Sequence, residues 1–133
     1  MLITLYNARQ LMQSNVESPI GLSPVYPLER RNFFYIAFDL RVQLSDGSIV
    51  IIPKGFKTDL SSVPRWLWAL KPPFGNFLLA ALIHDYLYVN RIGTRRTADR
   101  EMLIWSNVIH DNLVDNFTRW LAVRLFGRSW WKK

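Results

Sequence analysis

An alternation of apolar and polar residues over residues 34–44 constrains the fold of this chain more than any other feature of its sequence. Every second residue in this stretch is apolar, which is the period of a strand with one buried face. The Asp46-Gly47 dipeptide that follows favours a tight turn, and the β-branched run Ile49–Ile52 predicts a returning strand. Pro53 limits that strand to an edge or an end. We therefore expect an antiparallel hairpin over residues 33–56.

Helical periodicity replaces this alternation in the second half of the chain. Apolar residues recur at helical spacing over residues 76–89 and 97–114, and a third helix is expected from Asp115 or Asn116 to Phe126. Thr97 is a natural N-cap for the second helix, and Gly127 is a natural C-cap for the third. One face of the second helix is predicted to be core, and it carries Ala98, Met102, Trp105, Ile109 and Leu113.

These elements predict one α+β domain over residues 1–133, an antiparallel hairpin or small sheet packed against about three helices. The chain has 133 residues, half of them hydrophobic, which is enough for a core of its own. Residues 1–30 are expected to be irregular, although the N-terminal segment can widen the sheet. Residues 57–75 are predicted to be a loop region and residues 76–126 to be helical.

A basic aromatic tail is predicted over residues 127–133, where two tryptophans lie among cationic side chains. Such a tail can lie at a membrane interface, stack on a partner, or fold back over the core. We expect the third placement, because a short tail gives only a weak membrane signal.

Composition excludes several classes of function. The chain has no cysteine, so it has no disulfide, no thiol nucleophile and no zinc–thiolate site. Its first residues lack the features of a signal peptide, and no apolar run is long enough to span a bilayer, so we expect a protein that is not integral to a membrane.

The net charge of +7 favours polyanionic partners, such as nucleic acid, anionic lipid or cell-wall polymers. The alternative is that the charge serves solubility alone. Nucleic acid is the least favoured of these. Its recognition uses aromatic residues interleaved with basic ones on one face, whereas here the aromatic residues lie mainly in core stripes.

Candidate chemistry is concentrated in the segment ALIHDYLY, residues 81–88, where His84 precedes Asp85 in an apolar helical run. A short polar stretch separates this helix from the next, so His84 and Asp99 are expected to face each other across an antiparallel pair. A carboxylate on one ring nitrogen fixes the histidine tautomer and stabilises the imidazolium, which is a general-base arrangement. Asp85 projects about 100° further round the helix and can hold a hard cation or a water.

The loop before this helix contains a second group of oxygen-bearing side chains, Asp59, Ser61 and Ser62. Asp59 can form a local turn while one serine caps the following segment. Alternatively, these oxygens contribute to the His84 site. A serine nucleophile would also need a base within hydrogen-bond reach and an oxyanion hole, which spacing alone does not show.

Three ordered blocks, GFKTDLSSVPR at residues 55–65, LIHDYLY at 82–88 and RRTAD at 95–99, carry a family resemblance. Together they resemble an uncharacterised family of small phage- and prophage-encoded domains of unknown function. The resemblance implies a bacteriophage origin, and with it a location in the host cytoplasm or the virion. It implies no established activity.

The HDxxY pattern of the His84 helix is also similar to the helical site of secreted phospholipases A. That resemblance implies that His84 activates water, that Asp85 binds calcium, and that Tyr88 and Asp99 support the histidine. This chain lacks the cysteines that cross-link the helices of that family, and it lacks a matching glycine-rich calcium loop.

Two hypotheses therefore stand. In the first, the protein is a hydrolase acting on an ester or amide of the bacterial envelope, with His84 as base, Asp99 orienting it, Asp85 holding a cation or water, and Asp59 contributing from the loop. In the second, it is a non-catalytic virion component or host-directed binding protein, in which the same four side chains form a buried polar network. Its partners are then phage or host proteins. Alternatively, the basic tail contacts an anionic surface.

Overall fold

The computed structural model describes residues 2–8, 22–24, 34–36, 39–58, 78–109 and 112–131. The chain divides into two compact units, residues 1–59 and residues 60–133. The described strands lie in the first unit, and the helices over residues 78–131 lie in the second. This confirms the predicted α+β class, whereas the assignment of all 133 residues to one domain stays a prediction.

The first unit contains two small sheets, which together use six described strands. In chain order the strands are β1 (Leu2–Ile3), β2 (Leu22–Pro24), β3 (Phe34–Ile36), β4 (Leu40–Gln43), β5 (Ile49–Ile52) and β6 (Lys57–Thr58). One sheet has the order β1-β4-β5 and the other has the order β2-β3-β6. Strand β1 runs parallel to β4, and the other pairs are antiparallel.

The predicted hairpin is confirmed between β4 and β5, where Leu40 pairs with Ile52. Gly47 has a φ of 92°, which explains the glycine in this turn. Strands β3 and β6 continue the same register, because Phe34 pairs with Thr58 and each lies six residues beyond the Leu40–Ile52 pair. The hairpin therefore spans both sheets.

The one long strand predicted over residues 34–44 is divided into β3 and β4. Opposite the division, Pro53 has no backbone N–H for the ladder, and Gly55 has a φ of 86° that bends the returning chain. The Asp39 carboxylate accepts a hydrogen bond from the Lys54 backbone N–H at 2.6 Å in place of a ladder partner. These three local features end one sheet and begin the other.

The N-terminal segment is more ordered than the sequence predicts. Residues 1–30 were expected to be irregular, but they contribute β1 and β2, and β1 widens the hairpin sheet as expected. Exposed backbone groups at a hairpin edge favour such pairing. In the predicted loop region, residues 57–58 form β6, and residues 59–75 lie outside the described residues.

The second unit contains α1 (Leu78–Val89), α2 (Arg95–Ile109), α3 (Leu113–Phe126) and the single turn α4 (Arg128–Trp131). Helix α2 packs against both α1 and α3, and α4 contacts α1 and α3. Three helices were predicted over residues 76–126, and the described residues form α1, α2 and α3 there. No helix among the described residues combines the length and the apolar character needed to cross a bilayer.

Helix α2 begins two residues earlier than predicted, because Thr94 rather than Thr97 is its cap. The Thr94 hydroxyl accepts a hydrogen bond from the Thr97 backbone N–H at 3.2 Å, and the Thr97 hydroxyl accepts one from the Thr94 backbone N–H at 3.0 Å. This reciprocal pair is a capping box in which threonine takes the place usually held by Glu or Gln. The N-cap prediction for Thr97 was therefore wrong by one turn.

The end of α2 also differs from the prediction. Asn112 caps α3 by accepting a hydrogen bond from the Asp115 backbone N–H at 3.1 Å. Leu113 therefore starts α3 and is 64% exposed, so its assignment to the α2 core stripe was wrong. The other four stripe residues, Ala98, Met102, Trp105 and Ile109, are buried as predicted.

Candidate functional site

Helix α1 carries two of the predicted site residues into the interior of the helical unit. The preceding residues, Leu79 through Ile83, are all buried, so this part of α1 is enclosed on every side. His84 and Tyr88 lie one turn apart on the same face, with ring centroids 4.2 Å apart. Both side chains are buried.

Asp99 of α2 lies at the centre of the site and contacts side chains of all three long helices. Its Oδ1 accepts hydrogen bonds from His84 Nε2 at 2.8 Å and from the Tyr88 hydroxyl at 2.5 Å. Its Oδ2 accepts one from Arg124 Nη1 of α3 at 2.7 Å. We call His84, Tyr88, Asp99 and Arg124 the Asp99 cluster. Because an ionised carboxylate only accepts, the histidine donates through Nε2.

The surroundings keep the two acidic groups of the Asp99 cluster in different protonation states, one ionised and the other neutral. Burial alone raises the pKa of the Asp99 carboxyl, but hydrogen bonds from His84, Tyr88 and Arg124 outweigh it and lower that pKa from its ordinary value of 3.8. Burial, and then the hydrogen bond to Asp99, raise the pKa of Tyr88 well above its ordinary value of 10.0. Asp99 is therefore an anion and Tyr88 a neutral donor.

Arg95 connects the start of α2 to the end of α3. Its guanidinium donates to the Arg124 backbone carbonyl, at 2.5 Å from Nη2 and 3.3 Å from Nη1. Carbonyls in the last turn of a helix lack an amide partner further along the chain, so this contact caps α3. Arg95 Nη1 also lies 3.6 Å from Asp99 Oδ2, one turn away on α2. Arg95 thus supports the position of Arg124 and adds positive charge beside the carboxylate.

The C-terminal segment completes the surroundings of Tyr88. The Trp131 ring packs edge-on against the Tyr88 ring, with centroids 5.3 Å apart. The fold-back placement of the tail is therefore confirmed for Trp131. Gly127 ends α3 as predicted, and its N–H donates to the Val123 carbonyl at 2.8 Å. A Cβ on Gly127 would lie 2.9 Å from the Tyr88 hydroxyl oxygen, which leaves no room for a side chain.

The structure thus brings together three of the predicted site residues, His84, Tyr88 and Asp99. Asp85 is buried one residue beyond His84, and its role as a cation ligand stays a prediction. Asp59 lies outside the described residues. Within the described ranges, no three His, Cys, Asp or Glu side chains lie close enough together to hold a metal ion.

Sequence reasoning missed the two arginines of the site. Arg95 precedes Asp99 by four residues, a spacing that predicts an ion pair on a helix, and this signal was present in the sequence. Arg124 is 25 residues from Asp99 and carries no local signal. The general rule that a buried carboxylate needs a charged partner predicts such an arginine but does not identify it.

The raised pKa of Tyr88 gives a test of this geometry. In the folded protein the phenol is expected to stay protonated as the pH rises above 10.0, whereas in the unfolded chain it ionises near that value. Its contribution to stability is then complete below pH 10.0 and is lost as the pH rises towards the folded pKa. Ultraviolet titration of phenolate absorbance in wild type and in Tyr88→Phe measures it. The difference between the two titrations should show no Tyr88 ionisation until the protein unfolds. An ordinary titration of Tyr88 near pH 10 would contradict the buried hydrogen bond.

Comparison with known proteins gives one match. A family model described as a protein of unknown function, DUF1353, matches residues 34–124. Comparisons with curated proteins and with solved structures find no match. The matched span contains every residue of the Asp99 cluster and covers more than half of the chain. The chain therefore belongs to the DUF1353 family.

Proposed function

We propose that the Asp99 cluster is a structural centre and that the protein is a non-catalytic binding protein. One observation carries this proposal: His84 and Asp99 are each 0% exposed, so neither polar group faces solvent. A general base must reach both a water and the substrate. His84 Nε2, the Tyr88 hydroxyl and Arg124 Nη1 are instead directed towards Asp99.

The hydrogen bonding supports the same conclusion. Both oxygens of Asp99 already accept from donors on α1 and α3, so the carboxylate joins three helices through one buried charge. Satisfied networks of this kind rigidify a core and specify its arrangement, while a partly satisfied network is costly. The placement of the cluster between three helices is what a structural role requires.

A binding role also fits the family resemblance to phage-encoded domains. A protein of this kind acts as a virion component or as a host-directed binding protein, located in the virion or the host cytoplasm. The chain's net charge of +7 favours acidic or anionic partners.

A second candidate is the hydrolase, and the carboxylate on His84 Nε2 favours it. That contact makes Nδ1 the basic nitrogen, and Tyr88 donates to the same carboxylate oxygen. The resemblance to secreted phospholipases A implies that Tyr88 and Asp99 support the histidine. In this reaction water adds to an ester or amide carbonyl while its proton passes to His84 Nδ1. Collapse of the tetrahedral intermediate breaks the acyl bond, and His84 returns the proton to the leaving group.

The variant His84→Gln separates the two candidates, because a glutamine amide can donate to Asp99 but cannot take a proton from water. Under the structural proposal, the free energy of unfolding of this variant, measured in urea, should be within about 1 kcal/mol of that of wild type. It also expects wild type to show no more turnover of phospholipid, peptidoglycan and simple ester substrates than the variant does.

Tyr88→Phe is the matched control, since it removes one donor to the same Asp99 oxygen without touching the base. The structural proposal is overturned if wild type hydrolyses one of these substrates and His84→Gln abolishes that turnover at unchanged stability.

A further inference from the structure

Strand β5 lies at the edge of its sheet and lacks the features that prevent pairing with another strand. The sheet order β1-β4-β5 leaves the far side of β5 without a partner strand among the described residues. Proteins commonly protect such edges with charged side chains, a proline or a bulge. The four residues of β5 are all isoleucine or valine, and Pro53 follows only after the strand ends. The opposite edge of the hairpin is covered, because β1 pairs with β4 there.

The backbone groups of Ile49 and Ile51 point away from β4. The Leu44 N–H donates to the Ser48 carbonyl at 2.8 Å, so these two residues form a hydrogen-bonded pair of the hairpin. Bonded and non-bonded pairs alternate along an antiparallel ladder, so Val50 bonds to β4 whereas Ile49 and Ile51 direct their N–H and C=O groups outward. Within the described part of the chain, these outward groups have no hydrogen-bond partner.

A second copy of β5 satisfies all of these groups in one register. In an antiparallel pair centred on Val50, Ile49 of one copy lies opposite Ile51 of the other, and the two residues exchange both backbone hydrogen bonds. The same pair recurs on the other side of the centre, so the arrangement has the twofold symmetry of a closed dimer. Pro53 lies three residues beyond Val50 and has no N–H, so it ends the ladder.

Side chains also match in this register. Ile49 and Ile51 are 49% and 52% exposed, and in the pair they meet on the outer face of the sheet, where β-branched side chains pack well. The register also brings the Asp46 end of one copy to the Lys54 end of the other, because these residues lie four positions before and after Val50. Both are exposed, so opposite charges meet at each end of the interface.

We propose that the protein self-associates through β5, which joins two three-stranded sheets into one sheet of six strands. A strand edge takes an extended backbone as its partner, and neither a nucleic acid nor a lipid surface supplies one. A second copy supplies this backbone in a register that is complementary to itself. Only about three residues of each copy pair, so the interface is small and we expect a dissociation constant of about 0.1 mM.

Amide hydrogen exchange measured by NMR at two protein concentrations tests the proposal. The Ile49 and Ile51 amides should exchange about threefold more slowly at about 1 mM than at about 50 µM, because the fraction of monomer falls by that factor for the expected dissociation constant. The Val50 amide is the internal control. It bonds to β4 within one copy, so its exchange should not depend on concentration.

The double variant Ile49→Lys, Ile51→Lys should weaken association at least about tenfold in sedimentation equilibrium, because the symmetric register places lysine opposite lysine at two positions. Both residues are exposed, so the variant should keep its fold. Leu121→Lys with Leu125→Lys is the matched control, since it puts the same charge on exposed apolar residues of α3 and should dimerise like wild type. His84→Gln should also dimerise like wild type, so this inference and the proposed function fail separately.

Two results overturn the proposal. The first is a protein that stays monomeric at about 1 mM, with exchange of the Ile49 and Ile51 amides that does not depend on concentration. The second is a dimer that Leu121→Lys with Leu125→Lys dissociates and that Ile49→Lys with Ile51→Lys leaves intact, because association then uses α3 and not β5.

Discussion

Asp99→Ala is expected to cost about 3–5 kcal/mol of unfolding free energy, because it removes the one buried anion that three helices share. Arg124 loses its carboxylate partner, and the donors of His84 and Tyr88 lose their acceptor inside the core. An unsatisfied buried donor costs its full desolvation penalty, so the loss exceeds the value of any single hydrogen bond. Urea unfolding followed by circular dichroism measures the effect.

The controls for Asp99→Ala separate the buried charge from ordinary loss of a side chain. Tyr88→Phe removes one donor and keeps the ring that packs against Trp131, so it should cost about 1 kcal/mol. Asp115→Ala removes a half-buried carboxylate from the first turn of α3 and should cost about the same. A loss of under about 1 kcal/mol for Asp99→Ala would show that the cluster does not hold the helices together.

The β hairpin was predictable because its signals are local. Alternation sets which face is buried, and the Asp46-Gly47 turn sets the register, so pairs as distant as Phe34 and Thr58 follow from one turn. Its division into two sheets was not predictable from alternation alone. It depends on the Asp39 side chain meeting the Lys54 N–H across the hairpin, a contact that periodicity does not encode.

Helix boundaries were less predictable than helix positions, since several residues compete for the same capping role. Thr94 and Thr97 carry the same hydroxyl, and only the reciprocal bonding between them shows which one lies outside the helix. Asn112 was similarly overlooked, and its neighbours Leu113 and Val114 were assigned to the preceding helix. That error placed Leu113 in the core, although it is 64% exposed.

At the site, the sequence identified the pair that a two-helix arrangement brings together, His84 and Asp99, and it included Tyr88 on the same helix face. It missed Arg124, because a third helix contributes that residue over a long sequence separation. The difference matters for interpretation: a histidine and a carboxylate alone suggest a base, whereas an arginine on the second oxygen forms an ion pair with the buried carboxylate.

Gly127→Ala is expected to destabilise the protein by about 2–3 kcal/mol, through a clash that secondary-structure propensity does not predict. Gly127 has φ −80° and ψ −8°, a conformation that any residue adopts. Helix propensity alone therefore predicts that alanine stabilises the protein by up to about 1 kcal/mol. An alanine Cβ would, however, lie 2.5 Å from the Val123 carbonyl oxygen and 2.9 Å from the Tyr88 hydroxyl oxygen. The backbone of the last turn cannot easily move, so Tyr88 is expected to be displaced from Asp99.

The double variant Gly127→Ala, Tyr88→Phe shows how much of this cost passes through Tyr88. Without the hydroxyl, the new Cβ no longer contacts Tyr88 at 2.9 Å, and its contact with the Val123 carbonyl oxygen remains. The double variant should therefore lose about 1 kcal/mol less unfolding free energy than the two single variants lose together. In Gly127→Ala alone, the phenol should ionise at lower pH than in wild type, because its acceptor moves away. If the substitution stabilises the protein instead, the close packing of Tyr88 against the end of α3 is not what determines glycine at this position.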